Sequence, residues 1–246
     1  MNRSLLLLLG LACTCAAQAD PVADLTSKLK TLRADVPLKG VLQADYQQFD
    51  ATGTADKTKS AHLQLDFDSS DGLSIHLSPA FLQSLSAEEA RNVADPDSPT
   101  PEADLLRQMS VAHLQHVLSA ADGLLRLMDG ASSPVSRPAT LDGVAVTELD
   151  MSLPFKAPKK DADAAKDYQD GLSVWLDAQG VPLRFLEKVH AKFCKFFLCV
   201  TVDESYGGDL QVVSGRLVNV DFSQEHRQSG LGQDSHTKTV STLTLR

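Results

Sequence analysis

In the stretch Ala61-His62-Leu63-Gln64-Leu65-Asp66-Phe67-Asp68, apolar Leu63, Leu65 and Phe67 alternate with His62, Gln64, Asp66 and Asp68. A period of two sends each set to its own side of an extended chain, giving one buried and one wet face, as in an antiparallel sheet. Leu73, Ile75 and Leu77 alternate likewise with Ser74, His76 and Ser78, and Leu42, Ala44 and Tyr46 mark a strand over 41–49. Three strands are therefore expected early in the chain. Ahead of them, Leu25, Leu29 and Leu32 recur at helical spacing within 24–34, with Lys28, Lys30 and Arg33 on other faces.

Beyond the third strand the period changes. Ser78-Pro79 and Ser86-Ala87-Glu88-Glu89 read as helix starts, the second with capping-box spacing. From Thr100-Pro101 to Asp129-Gly130, Val111, Leu114, Leu118, Ala121, Leu125 and Met128 form an apolar stripe at spacings of three and four, with Ser119 and Gly123 as breaks. This helical insert covers about 79–129. Strand signals return at 144–153, then at 171–176 and 181–193 across the turn Asp177-Ala178-Gln179-Gly180. They continue at 198–206, 209–224 and 237–245, with Gly207-Gly208 and 228–236 as turns. The segment 155–169, rich in Lys, Asp and Ala, reads as a loop. The economical solution is one α+β domain over 20–246, a curved antiparallel sheet (a half-open barrel) with helices packed on its concave face.

Arg3, the apolar run from Leu5 to Ala12 and the small-x-small site Ala17-Gln18-Ala19 compose a secretory signal peptide over 1–19, cleaved before Asp20. The run is too short for a resident membrane helix. The alternative is lipidation at Cys13 or Cys15, whose preceding residues fit a lipoprotein signal poorly. The expected location is periplasmic or secreted. Net charge is −9, and removing residues 1–19 takes away Arg3 and no acid, leaving −10. Such a chain has no electrostatic reason to bind nucleic acid. Cys194 and Cys199 then remain, and strand-like flanks make them a structural disulfide rather than a redox pair. The loop it closes is short, so its entropic contribution is ~2 kcal/mol.

Signals for chemistry are sparse. His113 and His116 stand three apart on a helix, but no carboxylate or cysteine flanks them on that side, so they read as packed or surface histidines and no metal is expected. The acids and glycine of Asp66–Gly72 lack the later bidentate glutamate of a calcium loop and read as a hairpin turn. Ser27–Lys30 and Ser235–Lys238 match Ser-x-x-Lys, a pattern too short to carry weight. Lys156, Lys159, Lys160 and Lys166 are interleaved with Asp161, Asp163 and Asp167, a solvated loop that could alternatively meet an anionic headgroup. No nucleophile and base are found at catalytic spacing, so the reading is non-enzymatic, with no cofactor. Phe196, Phe197 and Leu198, between the two cysteines, place three large apolar groups at a hairpin tip. They either fold over the core or form a partner or membrane contact.

The helix-first order, the helical insert and the segment Val174-Trp175-Leu176-Asp177 with Gly180-Val181-Pro182 resemble the LolA/LolB-like superfamily of periplasmic lipoprotein carriers and lipid sensors. The resemblance implies a half-open antiparallel barrel closed by helices, with acyl chains held in the apolar space between. The expected function is that of an extracytoplasmic carrier, chaperone or sensor holding a lipid or lipoprotein acyl chain. Leu63, Leu65, Phe67, Trp175, Phe185 and Val189 would line the sheet side, and Leu114, Leu118, Leu125 and Met128 the helix side. Affinity would come from burial at about 25 cal/mol per Å² of apolar area. The rival is an envelope structural or interaction protein docking on a membrane surface or envelope protein through Phe196-Phe197-Leu198.

Overall fold

The computed structural model describes residues 20–50, 52–155, 165–195, 198–230 and 234–246. Asp20 accepts from the backbone N–H of Val22 and Ala23, and Pro21 sits where no N–H is needed, so helix α1 (Pro21–Thr31) starts with its first donors satisfied. Strands β1 (Lys39–Phe49), β2 (Ala55–Asp68) and β3 (Ser74–Leu77) follow. Helices α2 (Pro79–Ala94), α3 (Pro101–Gln108), α4 (Val111–Leu118) and α5 (Ala120–Leu127) come next. The chain closes with β4 (Ser132–Leu141), β5 (Val144–Ser152), β6 (Ala165–Leu176), β7 (Pro182–Lys195), β8 (Leu198–Val213), β9 (Arg216–Ser229) and β10 (Ser235–Leu245).

All ten strands join one antiparallel sheet in the order β3-β2-β1-β10-β9-β8-β7-β6-β5-β4, which is open, with β3 and β4 as its edges. The pairing of β1 with β10, from Gly40–Leu245 to Phe49–His236, ties the two ends of the chain together mid-sheet. Consecutive in sequence yet at opposite edges, β3 and β4 must be linked by a run that crosses the sheet. Helices α2–α5 are that run, with α3 against β1 and β2, and α4 and α5 against β9. Their apolar side chains and those of the facing strands form one core, including Leu63, Leu105, Leu114, Leu124, Leu149, Leu172 and Leu217, each no more than 2 % exposed.

Several elements differ from the sequence reading. Helix α2 runs unbroken through Ser86, and the expected long helix is three short ones, broken at Met109-Ser110 and at Ser119, with Gly123 inside α5. Strand β4 was not expected, and β6 begins at Ala165, within the expected loop. Gly207-Gly208 is not a turn but lies inside β8, paired with Phe185 and Leu186 on one side and with Phe222 and Ser223 on the other. The reason is crowding. A Cβ on Gly208 would run into the Asn219 side chain and the Asp221 carbonyl. Asn219, 1 % exposed, donates to the carbonyls of Asp209 and Asp221, both at 2.9 Å, across a local shift in strand register. The actual turn is Ser214-Gly215, both at positive φ, as a two-residue hairpin of this kind demands.

Candidate functional site

The helix side of the site is positioned by buried polar contacts. Thr100 provides no side-chain cap to α3; Glu88 of α2, 1 % exposed, instead accepts from Glu102 N and Ala103 N, both at 2.9 Å. A carboxylate on those orphan donors also complements the helix dipole and locks α2 to α3. Ser110 caps α4 by accepting from His113 N. At the α4–α5 junction, Arg216 of β9 donates to Leu118 O (2.6 Å), Ser119 Oγ (2.9 Å) and Val36 O (2.9 Å). One guanidinium thus holds the end of α4, the start of α5 and the segment after α1.

Between α3–α5 and strands β7–β9 lies a cleft of about 450 Å³. Phe185, Phe222 and Leu127 form its apolar wall; Gln108, His113, His116, Glu187, Tyr206 and Gln224 are its polar groups, with Arg107 also on the wall. Past His116, Leu127 and Glu187 it continues into a hollow of about 340 Å³ bounded by Phe155, Tyr168 and Asp170. The His113 ring meets Phe222 edge-on at 5.0 Å, and its Nε2 lies 3.3 Å from Ser241 Oγ. Burial, with a smaller push from His116, brings His113 down to about 4; burial and then Arg126 lower His116. The His113 ring is therefore neutral at pH 7. Tyr206 donates to Glu204 (2.8 Å), and Tyr168 to Asp170 (2.8 Å). Burial first, and then the acceptor carboxylate, raises both phenols well above their ordinary range. Gln108 is itself fixed by the Thr239 hydroxyl.

The sequence-expected lining falls elsewhere. Leu63, Leu65, Phe67, Leu114, Leu118 and Met128 are core residues, none more than 5 % exposed, and Leu125 packs against the same core. None of these seven lines the cleft, whereas Phe185 does. Val189 is half-buried on the same face of β7 as Phe185. Trp175 stands on the opposite face of the sheet. It pairs with Arg184, one residue from Val174 and Phe185, and borders another groove, of about 300 Å³, which shares only Phe185 and Phe222 with the cleft. Missed by the sequence reading were Glu187, Tyr206, Phe222 and Gln224. The available signal was Glu187 itself, a carboxylate between Phe185 and Val189 at an inward-facing strand position.

His113 and His116 are both in the wall, but among the described residues no group of three or more His, Cys, Asp or Glu side chains could hold a metal ion. Asp68 belongs to β2, where Lys39 (2.7 Å), with the Ser70 hydroxyl and backbone, holds its carboxyl at about 2, so the calcium-like stretch is hairpin structure. Cys194 and Cys199 form the disulfide, bridging paired positions of β7 and β8. Leu198 beside it is 50 % exposed. Phe196, Phe197, Lys156, Lys159, Lys160 and residues 1–19 lie outside the described residues. The disulfide fits an oxidising, extracytoplasmic location. Among the described residues no helix is long and apolar enough to cross a membrane. Compared with protein-family models and with curated proteins, the chain gives no match.

Proposed function

We propose that this protein is a non-enzymatic, extracytoplasmic binding protein that holds an amphiphile, an acyl or alkyl chain with a polar head, in the cleft between α3–α5 and the sheet. The observation that carries the reading is the cleft itself. Its 450 Å³ falls within the roughly 300–1,000 Å³ of small-molecule sites, with aromatic and aliphatic walls and a few fixed polar groups. In this reading the sheet curves around the crossing helices as a half-open barrel, in keeping with the LolA/LolB-like resemblance. The apolar face nearest β1 and β2 is core, while the ligand space lies farther along, over β7–β9. The signal-peptide reading of residues 1–19 and the disulfide both support a periplasmic or secreted carrier, chaperone or sensor.

The test is uptake. Native mass spectrometry of the purified protein should show a co-purifying lipid-sized molecule, lost on organic extraction. The extracted protein should then bind N-phenyl-1-naphthylamine, an uncharged fluorescent probe. Gln224→Trp, which puts an indole into the cleft, is expected to weaken probe binding by about tenfold or more, equivalent to about 1.4 kcal/mol, with thermal unfolding still cooperative. No co-purifying molecule together with no probe uptake by the unaltered protein would overturn the proposal.

A further inference from the structure

The sheet face opposite the cleft carries apolar groups that water alone does not explain. Directly paired residues share a face, and two rows on this one are almost wholly polar, as a wet face should be. They are Gln169, His190, Asp203 and Arg227, and Gly171, Lys188, Ser205, Glu225 and Lys238. The next two rows differ. One runs Ser173, Leu186, Gly207, Ser223 and Val240, the other Trp175, Arg184, Asp209, Asp221 and Thr242. Between them they supply most of the lining of the 300 Å³ groove. Trp175, the only tryptophan of the chain, stands half-buried at one end, and Val240, 36 % exposed, at the other.

Gly207 shapes the floor. A Cβ there would lie 2.9 Å from the Phe185 carbonyl oxygen and 3.1 Å from Leu186 Cδ1, so the missing side chain lets Leu186 lie close over β8. The rim is polar and held in place: Arg184 donates to Asp209 and to Asp142 Oδ2 (3.1 Å), and the Thr242 hydroxyl donates to Asp221 Oδ1 (2.9 Å). Ser205 and Ser223 add hydroxyls. From β6 to β10 there are four strand spacings, about 19 Å. An alkyl chain would dehydrate this rim without replacing its hydrogen bonds. A peptide adding as a strand needs a sheet edge, and β6–β10 are all interior strands. An anion would compete for a guanidinium that two carboxylates already share. A chain of pyranose rings matches on every count: its C–H faces suit the indole and Leu186, and its hydroxyls both donate and accept.

We infer that this groove is a second binding site, for a neutral oligosaccharide lying across β6–β10. One ring stacks on Trp175, and hydroxyls along the chain bond to Arg184, Asp209 and Asp221. The site stands apart from the amphiphile reading of the cleft and does not rest on it. Because Trp175 is the sole tryptophan, its emission reports this groove directly. Cellotetraose, chitotetraose and maltotetraose are titrated separately, to millimolar concentration, into the full chain. At least one is expected to shift the emission to the blue and saturate, as a ring covers the indole and excludes water. Ser223→Tyr, which fills the middle of the groove and keeps the reporter, should weaken that binding by about tenfold or more. Trp175→Ala, followed by calorimetry, should weaken it at least as much, and serves if the first variant does not fold. N-phenyl-1-naphthylamine uptake by the cleft should be unchanged by the bound sugar. No saturable shift with any of the three overturns the inference, as does affinity unchanged in a folded variant. A sugar that displaces the naphthylamine probe lies in the cleft and overturns it too.

Discussion

Burial holds the His113 imidazole at about 4, against an ordinary 6.5, because α4 turns it onto Phe222 and Ser241 rather than to water. A base whose folded value is lowered binds fewer protons folded than unfolded between those two values, so stability rises with pH through that window. The contribution is complete above pH 6.5 and is lost progressively as pH falls towards 4; the gap corresponds to about 3 kcal/mol. His116, also lowered, acts in the same direction. Urea midpoints measured from pH 7.0 to 5.0, before most carboxylates titrate, should therefore fall. His113→Leu should flatten the fall, and an unchanged slope in that variant would show that His113 is not the titrating group. In the sequence this residue reads as a packed or surface histidine rather than a metal ligand, and it is packed, at 7 % exposure. Its actual role depends on Phe222 and Ser241, more than a hundred positions away, which no local pattern could supply.

At the scale of elements, legibility follows how much of an element's environment lies within its own segment. Strand β2 declares itself because one face is core and the other water, so Leu63, Leu65 and Phe67 must alternate with polar residues. Strand β4 does not, since as an edge strand exposed over most of its length it has no apolar face to display. Its Pro134 and Pro138, which remove backbone donors, suit an edge that must not pair further. Gly207-Gly208 misled for the opposite reason: turn chemistry and close strand packing both call for glycine. The α4–α5 junction was legible only as a break at Ser119, because the group that secures it, Arg216, is contributed by β9. Arg216→Ala removes three charge-assisted hydrogen bonds, including those to the end of α4 and to Ser119, at a cost of about 2–3 kcal/mol. Hydrogen exchange should show amides of 117–124 losing protection well before those of β8 and β9. Uniform loss across the sheet would mean that Arg216 supports the whole fold and not this junction.

Across the whole molecule, the open sheet has a consequence that no single element carries. Strand β10 is the last in sequence but central in space, with β1 on one side and β9 on the other. It joins the amino-terminal strands β1–β3 to the six-strand meander β4–β9, and its Leu243, Thr239 and Ser241 are buried beneath the helices, Ser241 touching His113 and Thr239 touching Gln108. The helices α2–α5 gain their packing from both halves at once, α3 from β1 and β2, and α4 and α5 from β9. Without β10 the halves have no shared ladder, and the inner edges of β1 and β9 are left with unpaired N–H and C=O groups, each costly where it cannot reach water. A chain ending at residue 234 is therefore expected to lose cooperative thermal unfolding and probe uptake together, rather than melting at a modestly lower temperature. Adding a synthetic peptide of residues 235–246 should restore both, since strand addition supplies the missing ladder in a register set by the alternation of buried Val240-flanking Thr239 and Ser241 with exposed neighbours. Cooperative melting of the truncated chain by itself would show instead that the helical run alone is sufficient to hold the two halves of the sheet together.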